Sequence, residues 1–167
     1  ILAFVTLYYC YEWGVLRPMI LDDQGYDGFS ASVFSFIANA GVFALFLILP
    51  KLVGENVSEK KVLMSVIFAS ISYTFIALAT SIWVAGAIIF VFQLLAQTIT
   101  WWTSIYINKH VGSSHRATAL SAWAMLQKVP YILLVGLITN LSGQAFSIFI
   151  VASGLIVGIF AIGTLVL

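Results

Sequence analysis

Val62-Leu63-Met64-Ser65-Val66-Ile67-Phe68-Ala69-Ser70-Ile71 opens the stretch whose reading decides the fold. From Val62 to Asn108, 47 positions, there is no Asp, Glu, Lys or Arg. A helix crossing ~30 Å of hydrocarbon needs about 20 residues. The run is too long for one span and right for two. The expected break is Ala79-Thr80-Ser81, with Trp83 as an anchor at the membrane interface.

The rest of the chain follows the same pattern. Of its 167 residues, 62% are hydrophobic and only 8% charged, against about 25% in a soluble domain. This composition predicts an all-α, polytopic integral membrane protein, and the uninterrupted apolar runs exclude the alternating strands of a membrane β-barrel. A net charge of +1 gives no reason to expect a nucleic-acid partner. Six spans are expected, at about 1–21, 31–49, 62–79, 82–107, 117–138 and 146–167. The acidic turn from Asp22 to Gly28 ends the first, and Pro50-Lys51 stops the second. Ser30 or Ser32 is the expected cap of the second helix, and Ser113 or Ser114 that of the fifth. The chain begins and ends inside apolar segments, which predicts a piece of a longer protein.

Lysine and arginine set the expected orientation. Lys51, Lys60 and Lys61 follow the second segment, and Lys109 and Arg116 follow the fourth, so five of the seven basic residues fall on one side. That side is assigned to the cytoplasm, together with both ends of the chain, and the expected location is the plasma (inner) membrane. The first and fourth segments open their triplets and are the most polar, while the third and sixth are free of charges and amides. Three spans per triplet place the two in opposite orientations, the hydropathy pattern of a 3+3 inverted repeat and of secondary transporters.

Tyr8-Tyr9-Cys10-Tyr11-Glu12-Trp13-Gly14-Val15-Leu16-Arg17-Pro18 places a carboxylate and a guanidinium inside the first span. An ionisable group at that depth costs roughly 2.5–3.5 kcal/mol and normally faces a partner or water. Glu12, with Tyr8 one turn before it, is the candidate for proton coupling or for holding a cationic group; the alternative is a structural ion pair. Arg17 is read as an outer anchor whose side chain snorkels to the headgroups, with Trp13 stacked on it. Lys128 falls mid-span in the fifth segment, before Val129-Pro130, and is the expected partner of Glu12 or of a substrate anion. Gln93, Gln97, Thr100 and Ser104 form a polar line on the fourth segment, with Trp101 beside it, and Ser32, Ser35 and Asn39 a weaker one on the second. Each line either contacts substrate or binds helices together, at about 0.6 kcal/mol per bond. Gly154 and Gly158 form a GxxxG expected to pack closely on a neighbouring helix. His110 and His115 have no ligand spacing for a metal. Neither a phosphate loop nor a marked nucleophile occurs, so no enzyme activity, cofactor or metal is expected.

Asn108-Lys109-His110-Val111-Gly112-Ser113-Ser114-His115-Arg116-Ala117-Thr118-Ala119-Leu120-Ser121 resembles the loop and helix start before the eleventh helix of major facilitator superfamily transporters. There an Arg-Ala-Thr-x-Leu-Ser run follows a polar cytoplasmic loop. The Lys51–Lys61 connector is similar in position to the family's basic loop, without its Asp-Arg and Gly-Arg pairs. The resemblance implies the C-terminal six-helix half of a twelve-helix transporter, one that moves a small solute by alternating access and is ion- or proton-coupled. Its partners would be the bilayer, a small-molecule substrate, and the missing N-terminal half or a second copy. It places Glu12, Gln93, Gln97 and Lys128 on cavity-lining helices and gives the basic loops, with Lys51, Lys60, Lys61 and Arg116, a gating role. It further implies that the second and fifth helices shape the contact between halves, and that the third and sixth face lipid. A non-transporting scaffold or binding module is the rival reading.

Overall fold

The computed structural model describes residues 1–12, 16–53, 58–79 and 81–166. All regular structure in them is helical: α1 Leu2–Glu12, α2 Leu16–Asp23, α3 Gly28–Val53, α4 Glu59–Ile76, α5 Ile82–His110, α6 Arg116–Ile138 and α7 Gly143–Val166. Four of these are long and apolar enough to cross a membrane: α3 over Gly28–Ile48, α5, α6 and α7. That is compatible with an integral membrane protein. The expected first span corresponds to α1 and α2, and the expected third to α4, whose 18 residues begin with Glu59, Lys60 and Lys61.

Helix limits follow local chemistry. The turn before α3 is closed by Asp27, whose carboxylate accepts the Ser30 amide at 2.7 Å, so the cap is Asp27 and not Ser30 or Ser32. An aspartate ahead of the first turn receives an otherwise orphaned N–H and meets the positive end of the helix dipole. The hydroxyl and amide of Ser30 hold the Asp27 carboxyl below its ordinary value of 3.8. Its contribution is therefore complete above that value and is lost as pH falls through the lowered one. Asp27→Ala should speed hydrogen exchange at the Ser30 amide at neutral pH, and acidification of the wild type should do the same. Ser58 caps α4 by accepting the Lys61 amide at 3.3 Å. His115, not Ser113 or Ser114, precedes α6 and makes no side-chain capping bond. Contrary to expectation, α3 runs past Pro50 to Val53. A proline this close to a helix end removes one ladder bond where few remain to be made.

Three helices form a packed layer. α4 lies between α5 and α7, with its most extensive contact on α7. Its buried positions, Val62, Val66, Ala69, Tyr73 and Ile76, recur every three or four residues. α5 and α7 answer with the same spacing, Ile89-Phe92-Ala96-Ile99 and Phe146-Ile150-Gly154-Val157-Ala161. This is the one-faced burial that helix packing requires. The expected GxxxG contact is present: a Cβ at Gly154 would meet the Thr74 hydroxyl, the Ser70 carbonyl at 3.2 Å and the Tyr73 ring at 3.2 Å.

α1 packs mainly against α6 and is buried nearly all round, at Phe4, Val5, Leu7, Tyr8, Cys10 and Tyr11. α3 and α6 lie at the margins. Only 11% of the apolar stretch of α3 and 12% of that of α6 is buried, against 44% for α5. α3 still touches α5 closely at Gly41, where a Cβ would meet the Phe90 ring at 2.8 Å.

Candidate functional site

The interior of the bundle is aromatic before it is polar. Phe92 of α5 is the hub: its ring lies edge-on to Phe4, Tyr8 and Tyr11 of α1 at 6.3, 6.1 and 5.0 Å, and tilted against Tyr73 of α4 at 5.2 Å. Tyr8 stacks on Tyr11 at 6.2 Å. Edge-to-face packing matches the positive ring edge to the negative face and fixes these rings against one another. Their hydroxyls are less well served. Those of Tyr8, Tyr11 and Tyr73 are all buried without a hydrogen-bond partner. Tyr8 is close enough to Glu12 to feel its charge, but without hydrogen-bonding geometry.

One residue beyond the hub, Gln93 is fully buried and donates from Nε2 to Asn39 Oδ1 of α3 at 2.7 Å. Its own Oε1 has no partner. Two polar lines expected from the sequence thus meet at one bond, between α5 and α3. Gln97, one turn on, is half-buried. Thr100 and Ser104 satisfy their hydroxyls on the carbonyls of Ala96 and Thr100, within α5. Trp101 packs edge-on to Phe46 of α3 at 6.4 Å, and Trp102 is buried with its indole N–H unpartnered.

At the end of the buried α1, Glu12 is bound by Arg17. Arg17 Nη1 lies 3.3 Å from both carboxylate oxygens, and each side chain is only 12% exposed. Two expectations are corrected here. Arg17 is not extended to an outer rim but turned in to the carboxylate, and Glu12 is paired with Arg17, not with Lys128. Glu12 ends α1 and Arg17 stands in the first turn of α2, so the two charges meet between consecutive helices, and mutual neutralisation is what makes their shared burial tolerable. Trp13, expected on Arg17, lies outside the described residues.

Lys128 is exposed on α6 and has no bonding partner among the described residues. α1 and α6 are neighbours, as its expected pairing with Glu12 requires, but their aromatic contact is Tyr9 on Tyr131, at 5.4 Å. The basic residues of the connectors are dispersed. Lys60 and Lys61 sit exposed in the first turn of α4, and Arg116 exposed at the start of α6. Lys109 and His110 close α5, where positive charge suits the dipole. Lys51 lies in the last turn of α3 and its side chain lies outside the described residues.

An apolar groove of about 670 Å³ lies elsewhere, between α3 and α5, lined by Phe29, Val33, Phe34, Ile37, Trp83 and Phe90. It holds no ionisable group apart from Tyr26, whose hydroxyl donates to the Ile82 carbonyl at 2.9 Å. Apolar helix faces in hydrocarbon accept acyl chains without any built specificity, so the polar interior is the better candidate site.

No known protein family, curated protein or solved structure matches this chain. The site therefore rests on its own residues. Tyr11, Tyr73 and Phe92 join Tyr8, Glu12, Gln93 and Asn39 in it. Tyr73 was the hardest to find, because its segment reads as apolar once only charges and amides are counted.

Proposed function

We propose that the chain is a six-helix half of a secondary transporter, moving a small solute by alternating access with proton or ion coupling. The observation that carries this reading is polar chemistry concentrated inside an apolar helical bundle. The Glu12–Arg17 pair, three phenol hydroxyls and the Gln93–Asn39 bond all lie in or beside one aromatic core. Intramembrane ionisable groups are rare and mark substrate or proton paths by default. Buried polar atoms without partners are costly and call for a functional explanation.

On this reading α1 with α2, α3, α4, α5, α6 and α7 supply six spans as a 3+3 inverted repeat, as the resemblance to the major facilitator superfamily implies. The slight burial of α3 and α6 supports it, since those two helices would meet the other half of the transporter. Glu12 carries the coupling charge, with Arg17 as its resting counter-ion. Tyr8, Gln93, Gln97, Asn39 and Trp101 contact the solute or gate its path, and the basic residues of the connectors face the cytoplasm.

One observation favours the scaffold reading: Glu12 is already neutralised by a neighbour on its own chain, as a structural pair would be. Proton-coupled flux by the full-length protein in proteoliposomes separates the two. Glu12→Gln should abolish uphill, pH-driven uptake and leave downhill exchange measurable. Unchanged pH-driven flux in a normally expressed variant removes Glu12 from coupling.

A further inference from the structure

Among the described residues Lys128 is the one intramembrane charge left without a counter-charge. α6 runs from Arg116 to Ile138 and is apolar enough to cross a bilayer. Lys128 lies twelve residues from one end and ten from the other, roughly 18 and 15 Å along the axis. It is too deep for its four-carbon stem to reach either headgroup layer. Yet its side chain is exposed, and among the described residues neither an ion pair nor a hydrogen bond holds it.

Among the described residues no acid serves it. The chain has six: Glu12, Asp22, Asp23, Asp27, Glu55 and Glu59. Glu12 is taken by Arg17. Asp22, Asp23 and Asp27 lie at the end of α2 and the start of α3, and Glu59 opens α4, all away from mid-span; Glu55 lies outside the described residues. None of the described acids neutralises Lys128, and an anionic solute can take that place.

The surroundings of Lys128 suit a visitor. α6 contains no acidic residue. Ala117, Ser121, Ala124 and Lys128 follow one another at helical spacing, and all are exposed. They form a lane of small side chains leading from Arg116, itself exposed, to the buried-depth lysine. Tyr131, one turn beyond on the adjoining flank, is half-buried against Tyr9. On the six-span path α1 and α6 run the same way. Glu12 then lies a turn beyond that tyrosine contact and Lys128 a turn before it, which keeps the two charges apart. A fixed carboxylate would neutralise Lys128 permanently, as Arg17 does Glu12. A transporter needs a partner that leaves.

We infer that Lys128 is a recognition residue for an anionic solute, bearing a carboxylate or a phosphate, that reaches it along the small-residue lane of α6. The inference deepens the transporter reading and rests on it. The test uses the full-length protein in nanodiscs and proteoliposomes, with acetate, benzoate and inorganic phosphate as anions and glucose and choline as controls. At least one anion, and neither control, should raise the unfolding temperature with rising concentration, as ligand linkage requires. Lys128→Gln should weaken that anion's apparent affinity by about tenfold or more, the equivalent of ~1.4 kcal/mol. Lys128→Arg keeps the charge and guards against a simple folding defect, so it should retain most of the shift. Several results overturn the inference: no shift with any of the three anions, an equal shift in Lys128→Gln, or rescue of a misfolded Lys128→Gln by neutralising a carboxylate elsewhere in the full-length protein. If glucose or choline is transported and Lys128→Gln does not alter it, the transporter reading stands and the anion site falls. If an anion binds through Lys128 but no solute is transported, the site stands and the transporter reading falls.

Discussion

Gly154→Leu is expected to be the most disruptive single substitution in the described part of the chain. α4 and α7 share the most extensive helix contact, and Gly154 lies in it against the α4 backbone at Ser70. The first side-chain atom added there meets the Thr74 hydroxyl, the Ser70 carbonyl oxygen at 3.2 Å and the Tyr73 ring at 3.2 Å. The carbonyl belongs to the helix backbone and cannot swing away. Tyr73 is fixed from its other side by Phe92. Thr74 is tied to the Ser70 carbonyl at 2.9 Å, so moving it costs a bond as well as space. Overpacking a filled core costs about 1–3 kcal/mol. A leucine at a backbone-to-backbone contact belongs at the upper end, because the helices must separate for it to fit. Unfolding in detergent by steric trapping or thermal denaturation should show a loss of about 3 kcal/mol. Two other glycines calibrate the result. Gly158 faces the Ser70 Cβ at 3.5 Å, an ordinary contact, so Gly158→Ala should change little. Gly163 has nothing within 4 Å of an added Cβ, and even Gly163→Leu should be tolerated. Equal losses at all three positions would mean that helix propensity, and not the α4–α7 contact, governs the effect.

That contact was legible in the sequence because it depends on residue size at helical spacing, and Gly154 and Gly158 can be counted off the chain. The break between the expected third and fourth segments was legible for a similar reason: Ala79-Thr80-Ser81 interrupts an apolar run too long for one helix, and α5 begins at Ile82. Gln93 and Asn39 each stood out as amides on apolar helices. Their mutual bond did not, because it depends on how far α3 slides along α5, which Gly41 and Phe90 set through shape. The Asp27 cap was missed for a smaller reason. Serines inside the next helix drew attention, while the aspartate three residues before Ser30 read as part of an acidic turn. Tyr11 and Tyr73 carry no signal of their own in the sequence, and only packing shows that their hydroxyls are stranded in the core. Arg17 is the instructive failure. Helical periodicity puts residues three and four apart on one face and leaves a spacing of five without a rule. The pairing with Glu12 depends on how α1 gives way to α2, which neither charge announces.

The Glu12–Arg17 pair also supports the second large prediction, for stability and not for flux. Removing one member of a largely buried ion pair strands the other, and the usual cost is about 3–5 kcal/mol. Both side chains here are 12% exposed, so some solvation remains and the lower end applies. Glu12→Gln and Arg17→Gln should each destabilise the protein by about 3 kcal/mol. Arg17→Gln should be the milder, because the abandoned carboxylate can be neutralised by a proton, whereas a guanidinium stays charged at any working pH. The double variant Glu12→Gln/Arg17→Gln leaves no stranded charge and should recover most of the loss, since replacing both partners of a buried pair is often nearly neutral. A double-mutant cycle on unfolding free energies measures this directly, with a coupling of about 5 kcal/mol expected, because each single variant strands a charge at about 3 kcal/mol and the double strands none. Simple additivity would mean that the two charges do not depend on each other in the folded protein. The same double variant separates structure from mechanism. If the pair only fastens α1 to α2, restoring stability restores every activity of the full-length protein. If Glu12 couples ion movement to solute movement, the rescued protein folds, retains downhill exchange and still fails to drive uptake against a gradient, because the titratable group has been removed while the architecture has been kept.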